Sequence, residues 1–265
     1  MRMCVRGLCA GIAALGLPFS AAAEGGFFDV ELEDHRDWTL SVTAGAGSID
    51  ISGDARIDDR AGDTEISFNS TLDLKHTNAF WGEIDLQLFR GHHLRVGVTP
   101  MRFDGRTVLA ATITIDGVEY EVGDQIDTKL RLDQYEVSYR YAFELGERVT
   151  LAPLLQVNVL DARFTVQDET SGITDRERAW VPVPSLGLRA EFFPHARPGL
   201  FGEAKGITLG SPGTFWELTG GASLHITRNL SILGQYRAAD YDIDYLDVDA
   251  DARLEGPYLA ATLRF

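Results

Sequence analysis

Hydrophobic and polar residues alternate with a period of two along most of the chain after Trp38. The closing segment, 256–265, is the clearest example, because every second residue from Pro257 to Phe265 is apolar and the positions between them include Arg264. A period of two is that of a β-strand with one apolar and one polar face. The pattern predicts an all-β, antiparallel fold of about ten strands, with eight as the alternative if one weak pair does not form.

The connections between the predicted strands alternate in length. The strands cover approximately 38–51, 80–89, 94–104, 130–143, 149–164, 180–192, 200–209, 218–226, 230–245 and 251–265. The connections after the second, fourth, sixth and eighth strands are short, whereas most of the others are long and acidic. The dipeptide Asp116-Gly117 predicts a hairpin inside one long connection. Short turns at one end and longer loops at the other are typical of a transmembrane β-barrel.

Several strands also exchange the character of their two faces part of the way along. On the ninth predicted strand, the apolar face that begins at Leu230 continues as Asp240 and Asp242, while the face of Arg237 continues as Tyr241. The first, third, fourth, fifth and tenth strands change at corresponding depths. A lipid boundary explains the change, because the outer face meets hydrocarbon below it and water above it. The apolar lengths, about 7 to 11 residues, suit tilted strands that cross a bilayer.

We therefore predict an up-and-down transmembrane β-barrel that extends above the membrane on its external side. A secreted or periplasmic β-protein is the alternative, but a soluble sandwich gives no reason for so many strands to exchange faces at one depth. No stretch of 18 or more apolar residues follows the N-terminal region, which excludes a helical membrane protein.

The N-terminal region has the pattern of a secretory signal peptide. Arg2 and Arg6 precede an apolar run at 8–17, and the alanines at 21–23 offer a cleavage site. The domains are predicted as a signal peptide at 1–23, a periplasmic lead at 24–37 and a barrel at 38–265. Export through the inner membrane to the cell outer membrane follows from this division.

Charge and cysteine content narrow the chemistry further. Cys4 and Cys9 both lie in the predicted signal peptide, so the mature chain has neither disulfides nor thiol chemistry. The formal net charge of −16 becomes −18 once the two arginines of that peptide are removed. So acidic a chain argues against nucleic acid as a partner.

The C-terminal Phe265 resembles the last residue of bacterial outer-membrane β-barrels, whose terminal aromatic is part of their assembly signal. The chain resembles small outer-membrane β-barrel proteins over most of 38–265, and it is similar to OmpW-like barrels in general architecture. It also resembles a proteobacterial group with patterns like Leu-Asp-Leu at 72–74, Gly-His-His-Leu-Arg at 91–95 and Tyr-Glu-Val-Ser-Tyr-Arg-Tyr at 135–141. These are fold motifs. They imply an outer-membrane location and the barrel-assembly machinery as a partner, and little about activity.

Inward positions within the predicted membrane span carry charges of both signs. They are Glu83, Asp85, Arg95, Glu136, Arg140, Arg189, Glu191, Glu203, Lys205, Glu217, Arg237 and Arg264. The lumen of a barrel of eight to ten strands is narrow and filled by side chains, and buried charges must pair. Two interpretations stay open: a closed ion-pair network that packs the lumen, or a narrow polar pore.

Above the predicted membrane boundary, apolar side chains turn inward at the external mouth. They are Met101, Phe103, Leu130, Leu132, Leu160, Phe164, Tyr241, Ile243 and Tyr245. They form either a small core that closes this end or an apolar pocket for a lipid or hydrophobic small molecule. OmpW-like barrels are thought to use such a cavity, so this is an analogy of fold. The predicted function is therefore structural, or the passage of a small solute or hydrophobic ligand.

The external face is acidic, above all at 240–251. The segment 247–251 lacks the glycine and the glutamate of a calcium loop, so we predict no dedicated metal site and no cofactor. This face is either simply solvated or bridged through Ca²⁺ or Mg²⁺ to phosphates of lipopolysaccharide. Outer-membrane lipids and lipopolysaccharide are accordingly the predicted partners.

No catalytic residue is predicted. Surface hydrolases of this size use a histidine with Ser or Asp at the outer rim, and only His76, near Asp73, is on the predicted external side. His92, His93 and His195 fall at predicted periplasmic turns. We expect a protein that is not an enzyme, with a lipid- or peptide-hydrolysing barrel as the alternative.

Overall fold

The computed structural model describes residues 38–59, 62–110, 112–115, 118–168, 174–208, 213–245 and 248–265. For some of these, 55–59, 62–65 and 243–245 included, only the backbone is described. The predicted signal peptide at 1–23, the predicted lead at 24–37 and the Asp116-Gly117 turn lie outside the described residues. In the part of the chain that is described, no helix is long and apolar enough to cross a membrane.

The described residues form fourteen β-strands. Their bounds are β1 (Trp38–Asp59), β2 (Gly62–Ser67), β3 (His76–Leu88), β4 (His92–Val108), β5 (Ile113–Ile115), β6 (Val118–Tyr120), β7 (Gln125–Tyr141), β8 (Phe143–Leu145), β9 (Val149–Asp168), β10 (Thr174–Phe192), β11 (Pro198–Thr208), β12 (Thr214–His225), β13 (Leu230–Tyr245) and β14 (Val248–Arg264). β5 and β6 pair on either side of the predicted hairpin dipeptide.

Ten of these strands close into an antiparallel barrel. The order around it is β1, β3, β4, β7, β9, β10, β11, β12, β13 and β14, and β14 pairs with β1. At that seam the Phe265 amide donates a hydrogen bond to the Leu40 carbonyl at 2.8 Å. The prediction of about ten strands in an up-and-down barrel is confirmed. We call the end that holds Trp38 and Phe265 the periplasmic end, and the other end external.

The barrel carries an exposed apolar belt on its outer face. Its members include Ile84, Leu94, Val96, Val98, Val137, Leu155, Val157, Leu186, Leu188, Leu218, Ile232, Leu259 and Leu263. Aromatic girdles border it, with Phe80, Tyr135, Trp180, Trp216 and Tyr236 at the external edge and Trp38, Phe89, Phe143, Phe192 and Phe265 at the periplasmic edge. An exposed apolar surface of this extent, with aromatic borders, is that of a transmembrane barrel.

Beyond the external girdle, the barrel wall separates on two sides. The β3–β4 pairing ends at Gly82–Val98, two residues before Pro100. The β10–β11 pairing ends at Leu186–Gly206, two residues from Pro184. Proline has no N–H to donate to a neighbouring strand, so it favours an unpaired edge. β4, β7, β9 and β10 therefore continue outward as one sheet, and β13, β14, β1 and β2 continue as a second.

An apolar core fills the space between these two sheets, and we call it the external core. It includes Ile49, Ile51, Ile66, Met101, Phe103, Ile126, Leu130, Leu160, Val166, Tyr241 and Leu254. The segment 68–75 crosses into it, with Leu72 and Leu74 completely buried. A Cβ atom at Gly105 would lie 2.0 Å from the Leu72 carbonyl oxygen, so this segment can approach β4 only because residue 105 is glycine.

Two external connections are shorter than the sequence predicted. The β9–β10 ladder continues to Gln167–Thr174, and the β13–β14 ladder continues to Tyr245–Val248. The acidic residues that suggested loops lie instead on strands whose outer face meets water. Polar composition indicates that a segment is exposed to solvent, and a solvent-exposed strand can have the same composition as a loop.

Candidate functional site

The structure brings all twelve predicted lumen charges together around one cavity of about 190 Å³. We call these twelve side chains the lumen network. They belong to β3, β4, β7, β10, β11, β12, β13 and β14, and they all occupy the inward positions of the period-two pattern. The cavity reaches the periplasmic turns, where Gln87, His225, Arg228 and Ser231 line it.

Lys205 lies at the centre of the network. Its Nζ atom is 3.0 Å from Glu217 Oε1, 3.2 Å from Glu203 Oε1 and 3.7 Å from Glu136 Oε2. It also donates a hydrogen bond to Gln156 Oε1 at 2.9 Å. The ammonium and its three carboxylate neighbours are held inside the barrel, where unpaired charges would be strongly unfavourable.

Arg95 forms a second centre, nearer the periplasmic end. Its guanidinium nitrogens lie 3.4 Å from Glu83, 3.6 Å from Glu203, 3.8 Å from Asp85 and 3.9 Å from Glu136. Because Glu136 and Glu203 also face Lys205, the two centres share carboxylates and act as one network.

Arg189 and Arg237 extend the network to the opposite wall. Arg189 donates to Glu191 and to Glu203, the latter at 3.2 Å. Arg237 donates to Glu217 and to Gln134, the latter at 3.1 Å. Arg189 therefore links carboxylates of the neighbouring strands β10 and β11, whereas Arg237 links Glu217 of β12 to Gln134 of β7 across the lumen.

His93 contacts the lumen network and is a lumen residue that the sequence interpretation missed. It is the second residue of β4 and buried, and its Nδ1 lies 2.8 Å from Asp85 Oδ1, while Arg140 donates to the other oxygen of Asp85 at 3.0 Å. The sequence had placed His93 in a periplasmic turn. The sequence signal that could have identified His93 is its spacing of two from Arg95, because residues two apart lie on the same face of a strand.

Uncharged polar side chains complete the lumen and were also missed. Asn158 is fully buried, and among the described contacts neither of its side-chain polar atoms has a hydrogen-bond partner. The same holds for Gln156 Nε2 and Ser185 Oγ. All three lie at inward positions of β9 and β10. Buried polar atoms are normally paired, so ordered water is the expected partner of these atoms; none of the three residues lines the cavity of about 190 Å³.

The predicted mouth residues pack against one another. Met101, Phe103, Leu130, Leu160 and Tyr241 belong to the external core, and Leu132 and Phe164 pack against it. The side chains of Ile243 and Tyr245 lie outside the description. The void beside Met101 and Tyr241 measures about 10 Å³, roughly the space of one water. The described mouth residues therefore do not surround a ligand-sized cavity.

The external polar residues do not converge on a catalytic or metal-binding arrangement in the described part of the chain. Asp73 Oδ1 lies 2.6 Å from Lys75 Nζ, and His76 is exposed at the start of β3, opposite Asp50. On the acidic face, Asp240 is 3.7 Å from Arg253. No group of three or more His, Cys, Asp or Glu side chains among the described residues could hold a metal ion.

No protein-family model matches the sequence, and no curated protein matches it. The fold is similar to that of the outer membrane protease OmpT from Escherichia coli, with a TM-score of 0.57, 8% identity, and 86% of this chain and 97% of that chain covered. The translocator domain of the autotransporter NalP from Neisseria meningitidis has a TM-score of 0.46 at 12% identity, covering 88% of this chain and 90% of that one. At such identities the likeness concerns fold alone. The chain has the fold of the outer-membrane β-barrel proteins.

Proposed function

We propose that the protein is a structural barrel of the bacterial outer membrane whose lumen is closed rather than an open pore. The observation that carries the proposal is that two groups of side chains, which we interpret as successive closures, occupy the lumen. The ion-paired network around Lys205 and Arg95 occupies the membrane span. The external core, with Leu72 and Leu74 completely buried, occupies the mouth above it.

Each closure opposes ion passage for a different physical reason. An ion that crosses the network must displace Lys205 or Arg95 from carboxylates and leave buried charges unpaired. An ion that crosses the external core must lose its hydration shell among apolar side chains. The outer-membrane location is supported by the exposed belt, by the aromatic girdles and by the signal-peptide pattern at 1–23.

A second candidate role is the binding of a small polar solute from the periplasmic side. The cavity of about 190 Å³, which reaches the periplasmic end of the barrel, favours it. The cavity is smaller than the usual range for drug-sized ligands, about 300–1,000 Å³. Only a solute of a few heavy atoms would fit without breaking the network.

Planar-bilayer recording of the refolded protein tests the closed lumen. We expect no stable conductance steps from the unaltered protein or from a Leu72→Ser/Leu74→Ser variant, since the network alone still closes the lumen. Adding Lys205→Ala to that variant should produce steps. Stable steps from the unaltered protein would contradict the proposal. Heat-modifiable migration on gels verifies that each sample is folded.

A surface hydrolase on the same barrel is the alternative. It receives less support, because Asp73 pairs with Lys75 and not with His76, and the acidic residue opposite His76, Asp50, makes no described hydrogen bond or ion pair with it. An activity of intact cells on lipid or peptide that His76→Ala abolished, with the barrel still folded, would favour the hydrolase.

A further inference from the structure

Four arginines lie directly opposite one another across four adjacent strands. Arg102 of β4 pairs with Arg131 of β7, Arg131 pairs with Arg163 of β9, and Arg163 pairs with Arg178 of β10. We call them the arginine row. Neighbouring strands are about 4.8 Å apart, so the row extends over roughly 14 Å.

The arginine row lies just outside the apolar belt. One step toward the membrane, the aligned positions hold Asp133, Asp161 and Trp180, and one step further they hold Tyr135. Trp180 and Tyr135 belong to the external girdle. All four arginines face outward, and about half of the Arg178 side chain is exposed, at 51%. The row is therefore at the height of lipid headgroups.

The row is only partly neutralised by protein carboxylates. Arg102 pairs with Asp133 at 2.6 Å, and Arg163 and Arg178 both donate to Asp161. Among the described contacts, Arg131 has neither a hydrogen bond nor an ion pair. The four arginines thus have ion pairs with two carboxylates, and the next outward positions of the same face hold Asp104, Lys129 and Arg176. Like charges directly opposite each other destabilise a sheet, so the arrangement lacks a structural reason of its own.

The opposite side of the barrel has the reverse charge at the same height. Asp50 pairs with Glu255, and Asp240 pairs with Arg253, on the outer faces of β1, β13 and β14. The chain as a whole carries a formal charge of −16. The basic row is therefore a local feature of one sheet on an acidic protein. The external rim is positively charged on this side and negatively charged on the opposite side.

We propose that the arginine row binds the phosphate-bearing headgroup of an outer-leaflet lipid. Guanidinium groups match phosphate oxygens with two parallel hydrogen bonds, and they remain charged at every physiological pH. The free donors of Arg131 and the exposed edge of Arg178 receive the phosphates, and the length of the row admits more than one. The lipid's acyl chains then lie along the apolar belt directly below. Asp133 and Asp161 hold the flanking arginines in position.

This proposal differs from divalent-cation bridging at the acidic face, because it needs no metal. It requires a membrane location for the barrel but not a closed lumen. The two proposals can therefore fail independently. If the lipid does not bind, the closed lumen can still be correct, and if the unaltered protein conducts ions, the lipid site can still be correct.

Lipid binding to the refolded barrel in zwitterionic detergent tests the proposal. The probes are bis-phosphorylated lipid A, its dephosphorylated form and inorganic phosphate, all in the presence of a metal chelator, with binding followed by tryptophan fluorescence and by co-elution. The test variant is Arg131→Gln/Arg178→Gln. The matched control is Arg253→Gln, which removes an exposed arginine from the opposite sheet.

We expect the phosphorylated lipid to bind and its dephosphorylated form to bind far more weakly. Each arginine removed from the row should weaken binding about tenfold, as expected for the loss of a charge-assisted hydrogen bond, whereas Arg253→Gln should have little effect. Added salt should weaken binding by screening. Equal affinity for the two lipid forms, or an equal loss in Arg253→Gln, would overturn the proposal. Displacement of the lipid by millimolar inorganic phosphate would overturn the lipid assignment.

Discussion

Lys205 Nζ lies 3.0 Å from Glu217 Oε1, and the two side chains are only 3% and 2% exposed. This pair is surrounded by Glu136 and Glu203, which face the same ammonium. One ammonium therefore faces three buried carboxylates, two of which it shares with Arg95, so Lys205 is central to the network that we propose closes the lumen.

Lys205→Met should accordingly destabilise the barrel by about 3–5 kcal/mol, because it leaves buried carboxylates unpaired. Urea unfolding in lipid vesicles measures the change. Adding Glu217→Gln should recover part of the loss, because it removes one of those carboxylates. Lys129→Met, on the exposed outer face of β7, is the matched control and should change stability by no more than about 0.5 kcal/mol. Equal losses at the two lysines would contradict this role for Lys205.

The strands and the lumen network could be predicted from sequence because both depend on a local property. A period of two assigns every residue of a strand to one face, so Glu83 and Asp85, or Glu203 and Lys205, were assigned to the lumen without knowledge of neighbouring strands. The same reasoning would have found His93. A periplasmic turn was assigned there instead because His93 follows Gly91 closely.

Features that join distant parts of the chain could not be predicted in this way. The period of two puts Arg102, Arg131 and Arg163 on the outer faces of their strands, but their alignment depends on strand register, which is set by contacts between segments. The burial of Leu72 and Leu74 likewise depends on the approach of 68–75 to Gly105. Pro100 and Pro184 gave a local sign that pairing ends, yet only the fold identifies which neighbouring strand is lost.

Membrane contact of the belt predicts a strong difference between two positions on one face of β9. Val157→Arg places a charge against hydrocarbon and should destabilise the barrel by about 2–4 kcal/mol. Gln167→Arg introduces the same residue on the same face of β9, but beyond the girdle, where the side chain meets water. This substitution should hardly change the stability of the barrel. Urea unfolding in vesicles compares them. Similar losses at both positions would argue against the assigned membrane boundary.

Packing of the segment 68–75 against β4 predicts a specific effect of a single methyl group. Gly105→Ala would put a Cβ atom 2.0 Å from the Leu72 carbonyl, so the segment must move outward. Trypsin should then cleave faster after Lys75, whose side chain is already 64% exposed. Gly202→Ala is the matched control, because a Cβ atom there meets nothing within 4 Å. Unchanged cleavage in Gly105→Ala would mean that the contact with β4 does not hold the segment.

The Arg178–Asp161 pair predicts an acid-sensitive contribution to stability. Asp161 lies beyond the membrane belt, and hydrogen bonds from Arg178, reinforced by Arg163, lower the pKa of its carboxyl to about 2. A lowered pKa stabilises the fold above the unfolded value, about 3.9, and this contribution is lost as pH falls through 2. Stability should therefore decline over that window, and Asp161→Asn should decline less. Identical acid profiles for the two proteins would contradict the assigned pairing.

Substitution of Phe265 tests the assembly of the barrel separately from its stability. Its backbone closes the β1–β14 seam through hydrogen bonds with Leu40, whereas its ring is exposed in the periplasmic girdle. If the ring serves as an assembly signal, Phe265→Ser should reduce the amount of protein in the outer membrane of cells, while the refolded variant unfolds at nearly the same urea concentration. Phe143→Ser removes another exposed ring from the same girdle and controls for lost lipid contact. Equal amounts of the two variants in the outer membrane would mean that the Phe265 ring acts only as a girdle residue and not as an assembly signal.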